Sequence, residues 1–246
     1  MTVRAQNENG AETRRAFYGR RKGPALRTHQ AGLIEHVLPK LILDPTADRP
    51  DHIGTLFAQP IAGAWLEIGF GGGEHLAAHR VLRPEFGFIG VEPFINGMAK
   101  FLAASESAEA GESRSERRQA PVRLYNDDAT PLLDWLPDGC LDGIDLLYPD
   151  PWHKKRHWKR RFVNPANLNR FARLLKPGGV FRFASDIESY VNWTLHHLQD
   201  HDGFSWTAQG APDWREPWHG WVRTRYEAKA IREGRTPCYL TFRRNP

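Results

Sequence analysis

A lone carboxylate between two prolines, Pro149-Asp150-Pro151-Trp152, stands just ahead of Lys154 to Arg161, a run with six Lys/Arg in eight residues. The segment before it, Ile144-Asp145-Leu146-Leu147-Tyr148, is a short apolar run of the kind that forms a buried parallel strand. The strand fixes the acid, the prolines stiffen the turn because their φ is locked, and the cations suit phosphates. The combination points to an enzyme acting on a nucleic acid.

A second set of candidates lies upstream. Residues 65–74, Trp-Leu-Glu-Ile-Gly-Phe-Gly-Gly-Gly-Glu, read as a strand, a glycine turn and the start of a helix. A nicotinamide fingerprint needs its third glycine at position 74, where the chain has Glu74. Instead Glu67 precedes Gly69 and Gly71 in the pattern E-x-G-x-G-x-G. An acid there suits an ammonium group and would repel a pyrophosphate. The turn therefore fits a cofactor with an amino-acid moiety, such as S-adenosyl-L-methionine. The next strand ends in Gly90-Val91-Glu92-Pro93, where Glu92 can accept from both hydroxyls of a ribose. The third ends in Asn126-Asp127-Asp128-Ala129, where Asp128, or Asp127 in the other register, can accept from an adenine amine. Each feature alone has a plainer reading, as a tight turn or a helix-capping acid. Three acids at three successive strand tips are far more specific than any one of them.

The elements that hold these residues follow from periodicity. Strands are expected at 64–68, 87–91, 122–126, 143–148, 180–184, 204–208 and 238–243. Helices are expected near 73–82, 94–104, 129–136, 165–175 and 187–199, with Lys176-Pro177-Gly178-Gly179 stopping the fourth. This alternation means right-handed crossovers and an α/β fold with a parallel sheet covered on both faces. Residues 105–119 read as a polar, solvated insertion, and 210–226 as a Trp-, Pro- and Arg-rich one whose Trp214, Trp218 and Trp221 belong to the core. Gly32 to Leu43 reads as a short or kinked helix despite Pro39. Ahead of it, 1–13 reads as disordered and 14–27 as a basic arm with six Lys/Arg. The chain thus divides into an arm and helix at 1–50 and one domain at 51–246.

Bulk properties limit the alternatives. At 246 residues and 40% hydrophobic content the chain can hold a sizeable core, and its formal charge of +5 favours an acidic partner. Cys140 and Cys238 form neither a disulfide framework nor a zinc knuckle. His153 with His157, and His196, His197 and His201, lack accompanying acids or cysteines in a ligand pattern, so no metal is expected. With no apolar leader or spanning segment, the expectation is a soluble cytoplasmic protein away from membranes, monomeric or homodimeric.

The blocks EIGFGGGEH (67–75), GVEP (90–93), DDA (127–129), PDPWHKKRH (149–157), FASD (183–186) and TRYE (224–227) together resemble the bacterial tRNA (guanine-N7)-methyltransferases. The resemblance runs over about residues 60–245. It implies a Rossmann-like class I methyltransferase with a seven-stranded, mostly parallel sheet, helices on both faces and an antiparallel last strand. It also implies S-adenosyl-L-methionine as donor, tRNA as partner and N7 of a guanine in the variable loop as acceptor. Cofactor contacts are implied at Glu67, Glu92 and Asp128, a catalytic or substrate-facing role at Asp150, and substrate contacts at Lys154, Asp186, Thr224, Arg225, Tyr226 and Glu227. The 105–119 insertion is longer than the pattern leads one to expect, and Gly72 and Gly73 loosen the first turn.

Guanine N7 has a free lone pair, so its methylation requires no proton to leave that nitrogen. Asp150 is then expected to act by orientation and electrostatics, stabilising positive charge as it moves onto the purine and accepting from N1–H and the 2-amino group. Lys154 to Arg161 is expected to clamp phosphates, with Arg14 to Arg27 as a second contact. Trp152 and Trp158 are expected to stack on an extruded guanine. Arg225 could hold a phosphate, Tyr226 stack on a base, and Glu227 accept from a base edge or anchor Arg225. Asp186 also suits the N-cap of the helix at 187–199. Two other functions compete: methylation of an exocyclic base amine, which favours an acid-Pro-Pro-aromatic turn, and a non-catalytic RNA-binding module. A nicotinamide oxidoreductase is opposed by Glu74 and the basic run.

Overall fold

The computed structural model describes residues 4–6, 12–14, 18–111 and 119–246. Strands β1 (Arg4–Gln6) and β2 (Glu12–Arg14) pair as a short antiparallel ribbon. The rest of the segment expected to be disordered, and residues 15–17 of the arm, lie outside the described residues. Helices α1 (Thr28–His36) and α2 (Leu38–Leu41) follow. The break falls at Val37, because Pro39 sits in the first turn of α2, where a missing N–H costs nothing. Leu33 and Leu38 join the core, and Leu43 N–H donates to Leu124 O at 2.8 Å, so this segment is packed onto the sheet.

The main body runs β3 (Ala64–Ile68), α3 (Glu74–Leu82), β4 (Gly87–Val91), α4 (Ile95–Gly111), β5 (Val122–Tyr125), α5 (Ala129–Trp135) and β6 (Leu141–Leu147). It continues with α6 (Pro165–Leu174), β7 (Leu175–Ser185), α7 (Glu188–Gln199), β8 (Phe204–Trp206), α8 (Pro212–Arg215), α9 (Arg225–Arg232) and β9 (Cys238–Arg244). The seven strands from β3 onward form one sheet in the order β5-β4-β3-β6-β7-β9-β8. The first five are mutually parallel, and β9 is antiparallel to both β7 and β8. Every residue of β3 and β4 is buried, as a strand covered on both faces requires. Leu66, Ile68, Ile144, Leu146 and Phe183 belong to one core layer, and Trp65, Leu76, Phe88, Met98 and Phe101 to the other.

Helix α9 is not among the expected elements, and of the boundaries that shifted two differ substantially. Helix α4 extends through 105–111, because its Ala- and Glu-rich sequence favours a helix over a loop; residues 112–118 lie outside the described set. Helix α6 ends at Leu174, just ahead of Lys176 to Gly179 as expected of that stop, but Leu175 already pairs with Leu141, so those four residues fall inside the first part of β7. Among the described residues, no helix is long and apolar enough to cross a membrane.

Candidate active site

Parallel pairing carries the C-terminal ends of β3, β4, β5 and β6 to one rim; Glu92, Asp128 and Asp150 follow those ends, and Glu67 stands one residue inside the end of β3. Glu67 lies within β3, 2% exposed, directly opposite Asp145 of β6. Its Oε2 accepts from His75 Nδ1 of α3 at 2.8 Å. Glu92 follows β4 and is 7% exposed. Its Oε2 accepts the Gly71 N–H at 2.6 Å and its Oε1 the Phe94 N–H at 2.8 Å. Burial lifts its carboxyl to about 7, against the pull of these two bonds. Asp128 caps α5, accepting from Thr130 N at 3.0 Å and Thr130 Oγ1 at 2.9 Å. Asp127 accepts the Asp128 N–H and pairs with Arg21 of the arm at 2.5 Å. Both acids of the open register choice thus stand at the β5 tip, with Asp127 the one paired to Arg21.

The glycine turn is shaped to approach a ligand. Gly69 takes φ 73 with open space where a Cβ would stand. Gly72 is the reverse case: a Cβ there would overlap the Arg225 guanidinium, so the second glycine of the run, unexplained by sequence, makes room for α9. Arg225 Nε donates to Glu74 Oε1 at 2.8 Å, and the Tyr226 ring lies beside Gly71 while remaining 49% exposed.

Asp150 projects from the rim, exposed on one side, with enough burial on the other to raise its pKa above the ordinary carboxylate value. Its charge helps raise the pKa of Glu92, and with Glu92 it helps raise that of the Tyr226 hydroxyl, whose main cause is burial. Glu92, Asp150 and Tyr226 therefore share one electrostatic neighbourhood above the glycine turn. Tyr148 (φ 50) and Trp152 (φ 46) both take left-handed backbone conformations on either side of Pro149-Asp150-Pro151. Two such residues in one turn are a strained arrangement, of the kind that collects at functional sites.

The basic run splits in two. Lys154, Lys155, Arg156 and Lys159 are exposed, Lys154 directly before a 3-10 turn spanning Lys155–Arg160. Arg160 instead lies over Tyr18 (4.4 Å) and Trp152 (5.0 Å). Arg161 is 1% exposed and donates to Pro151 O (2.9 Å), Ser189 O (2.7 Å) and Ser189 Oγ (3.0 Å). Its role is to pin the Asp150 turn from beneath. Trp158 packs against Trp193 and Arg161, so its ring is committed to the protein. Trp152, beside Tyr18 and His157, is only half-buried. The arm meets the rim elsewhere as well: Arg21 O accepts from Ile95 N–H, and Gly23 N–H donates to Asn96 Oδ1.

The late block divides similarly. Thr224 N-caps α9, accepting from Glu227 N–H at 3.1 Å. Glu227 is 2% exposed; it accepts from Trp221 Nε1 at 2.7 Å and from the Tyr239 hydroxyl, while Arg225 is anchored by Glu74 instead. Thr224 and Glu227 thus build the helix start that presents Arg225 and Tyr226. Trp218 and Trp221, half-buried, pack on Tyr239 of a small cluster with Leu147 and Ala184, and half-buried Trp214 packs against the main core. Asp186 does not cap α7, whose N-cap is Ile187; it pairs with Arg235 at 2.5 Å and ties the β7 tip to the segment after α9.

The sequence reading missed His75, though its i,i+4 relation to His79 on a helix facing a strand acid was a usable signal. His75, His79 and Asp145, all buried, bring possible ligand atoms within 4.8 Å of one another. Asp145 already takes the Trp65 indole N–H at 2.8 Å, and although burial acts to raise its pKa, the His79 contact, the His75 charge and the Arg182 guanidinium together lower it. That buried positive charge disfavours a cation, and the trio is read as part of a charge-balanced polar layer.

A family model described as "Putative methyltransferase" matches residues 62–240. The tRNA (guanine-N(7)-)-methyltransferase of Brucella anthropi is 59% identical, over 92% of this chain and 93% of that protein. That of Rhizobium etli is 57% identical over 93% and 96%, and that of Agrobacterium fabrum 57% over 96% and 97%. Among solved structures, that of the 16S rRNA methyltransferase KamB matches with a TM-score of 0.54 at 16% identity, covering 80% of this chain and 96% of that one. This last likeness is one of fold.

Proposed function

The chain belongs to the tRNA (guanine-N(7)-)-methyltransferase family, and from that premise we propose that it moves a methyl group from S-adenosyl-L-methionine to N7 of a guanine in the variable loop of tRNA, in the cytoplasm. The observation that carries this reading is that Glu92 and Tyr226 both meet the glycine turn at Gly71, on the rim where the strained Asp150 turn follows β6.

The residues present suit the donor. The space over Gly69 is a cradle that a side chain would fill, and the lining acids match an ammonium, two ribose hydroxyls and an adenine amine. We assign these to Glu67, Glu92 and Asp128, with the backbone of Gly69 and Gly71 along the donor's edge. When bound, the donor supplies an electrophilic methyl on a sulfonium. The protein's own work is to aim the acceptor and compensate charge. Asp150, fixed in its strained turn, accepts from the guanine edge and offsets positive charge as it develops on the purine, with no proton to remove from N7. Tyr226 stacks on the base, Arg225 approaches a phosphate, and Lys154 with its exposed neighbours holds the backbone. Asp186, Thr224 and Glu227 contribute by positioning α9 and its flanks.

The test is purified protein with labelled S-adenosyl-L-methionine and total tRNA, followed by nucleoside digestion. Label in 7-methylguanosine is the expected result; label on an exocyclic amine, or no transfer, overturns the reading.

A further inference from the structure

His75 sits where the donor side and the acceptor side of the cleft meet. It is 3% exposed, on the first turn of α3. On one side its Nδ1–H reaches Glu67 Oε2. On the other its ring faces Trp221 at 5.1 Å and the edge of Trp218 at 6.4 Å. Trp221 in turn donates to Glu227 in the first turn of α9, the helix that presents Arg225 and Tyr226 to the glycine turn.

The charges around His75 come from every element packed against it. Glu67 of β3 stands opposite Asp145 of β6, and Asp145 stands opposite Arg182 of β7. His79 Nδ1 lies 3.6 Å from Asp145. The Arg182 guanidinium is stacked over Trp65 and Trp218. Arg182 stands opposite Asp145 rather than Glu67, so a cation beside the buried Glu67 would balance its charge. Burial alone would discharge the His75 ring, but the charge of Glu67 and the bond to it, reinforced by Asp145, raise its pKa overall. Burial likewise raises the Glu67 pKa overall, with the charge of His75 and the bond to it opposing the rise. An unaccompanied acid at this depth would neutralise and lose its attraction for an ammonium group.

We propose that His75 is a positioning residue for the methyl donor: as an imidazolium it orients the Glu67 carboxylate, balances its charge and joins it through Trp221 to the acceptor-side helix. The proposal rests on the reading of Glu67 as the acceptor of the donor's ammonium.

The test measures binding of two probes by calorimetry near neutral pH: S-adenosylhomocysteine, which carries the amine, and methylthioadenosine, which lacks it. His75→Phe keeps a ring against Trp221 without donor or charge; His75→Asn keeps an N–H near the Nδ1 position. His75→Phe is expected to weaken S-adenosylhomocysteine about tenfold while leaving methylthioadenosine within about twofold, with His75→Asn between it and the parent protein. Glu67→Gln should show the same selective loss, and the double variant little more, as expected of groups acting as one unit. Nitrogen NMR of labelled histidine should show the His75 ring doubly protonated in the parent protein and singly protonated in Glu67→Gln. Equal weakening of both probes by His75→Phe, or of neither, overturns the proposal. If Glu67→Gln leaves the preference for the amine intact, the assignment of Glu67 fails and takes this proposal with it. If Glu67→Gln removes the preference and His75→Phe does not, the role of His75 alone is lost.

Discussion

Oε2 of Glu92 accepts the Gly71 N–H at 2.6 Å, so the tip of β4 holds the glycine turn through a carboxylate whose pKa burial has lifted to about 7. A folded-state value above the unfolded 4.5 means that the bound proton contributes stability below about 4.5, a contribution lost as pH rises through about 7. Thermal melts of the donor-free protein should therefore show Glu92→Gln gaining on the parent between pH 5 and pH 8. Ribose hydroxyls donate to the ionised form, so S-adenosylhomocysteine should bind the parent more tightly at pH 8 than at pH 6. A flat difference in Tm across this range would contradict the ionisation assigned to Glu92.

Asp150→Asn keeps the shape of the side chain and removes its charge. If the carboxylate acts by offsetting charge on the purine, Asn and Ala should both reduce single-turnover methyl transfer by about 10²- to 10³-fold, the usual scale for a lost electrostatic contact. Binding of S-adenosylhomocysteine should be unaffected. Near-normal turnover by Asp150→Asn would assign the residue to orientation alone.

Four exposed cations of the basic run, Lys154, Lys155, Arg156 and Lys159, are placed to meet phosphates. If all four do, the logarithm of tRNA affinity should fall with the logarithm of salt with a slope of about −3 from this run. Each alanine substitution among them should reduce the magnitude of that slope by about 0.8. Affinity titrations at several salt concentrations decide the matter, and a slope unchanged by all four substitutions would remove the clamp.

Arg161→Ala should behave differently, because its guanidinium is buried and hydrogen-bonded to Pro151 O and Ser189. Denaturant unfolding is expected to show a loss of about 3 kcal/mol, the scale of breaking a buried charged network. Arg161→Lys, which cannot span all three acceptors, should recover little of it. A surface-like change below about 0.5 kcal/mol would place Arg161 among the phosphate ligands after all.

Sequence reading recovered what depends on local pattern. Strand runs such as Trp65 to Ile68 and Ile144 to Leu147 are legible by composition, and parallel crossovers then force their following acids to one rim. It did not recover where long side chains turn. Arg161 and Lys154 look alike in a basic run, but Arg161 folds inward because Trp158, Tyr190 and Trp193 offer it aromatic faces. Arg225 meets Glu74 across 151 positions, and Asp186 meets Arg235 across 49, pairings set by how α9 lies on the sheet and invisible to periodicity. Glu227 reads as an acceptor for a base edge or an anchor for Arg225 until Trp221 and Tyr239 are seen to enclose it.

The left-handed residues Tyr148 and Trp152 set stability against accuracy at one place. Glycine at position 152 would relax a bend that costs on the order of 1 kcal/mol, at the expense of the contacts that the Trp152 ring makes with Tyr18, His157 and Arg160. The same change would let the loop sample other shapes, so that the acid spends less time facing the base. A thermostabilised version of this enzyme obtained by easing that bend should melt later and methylate more slowly.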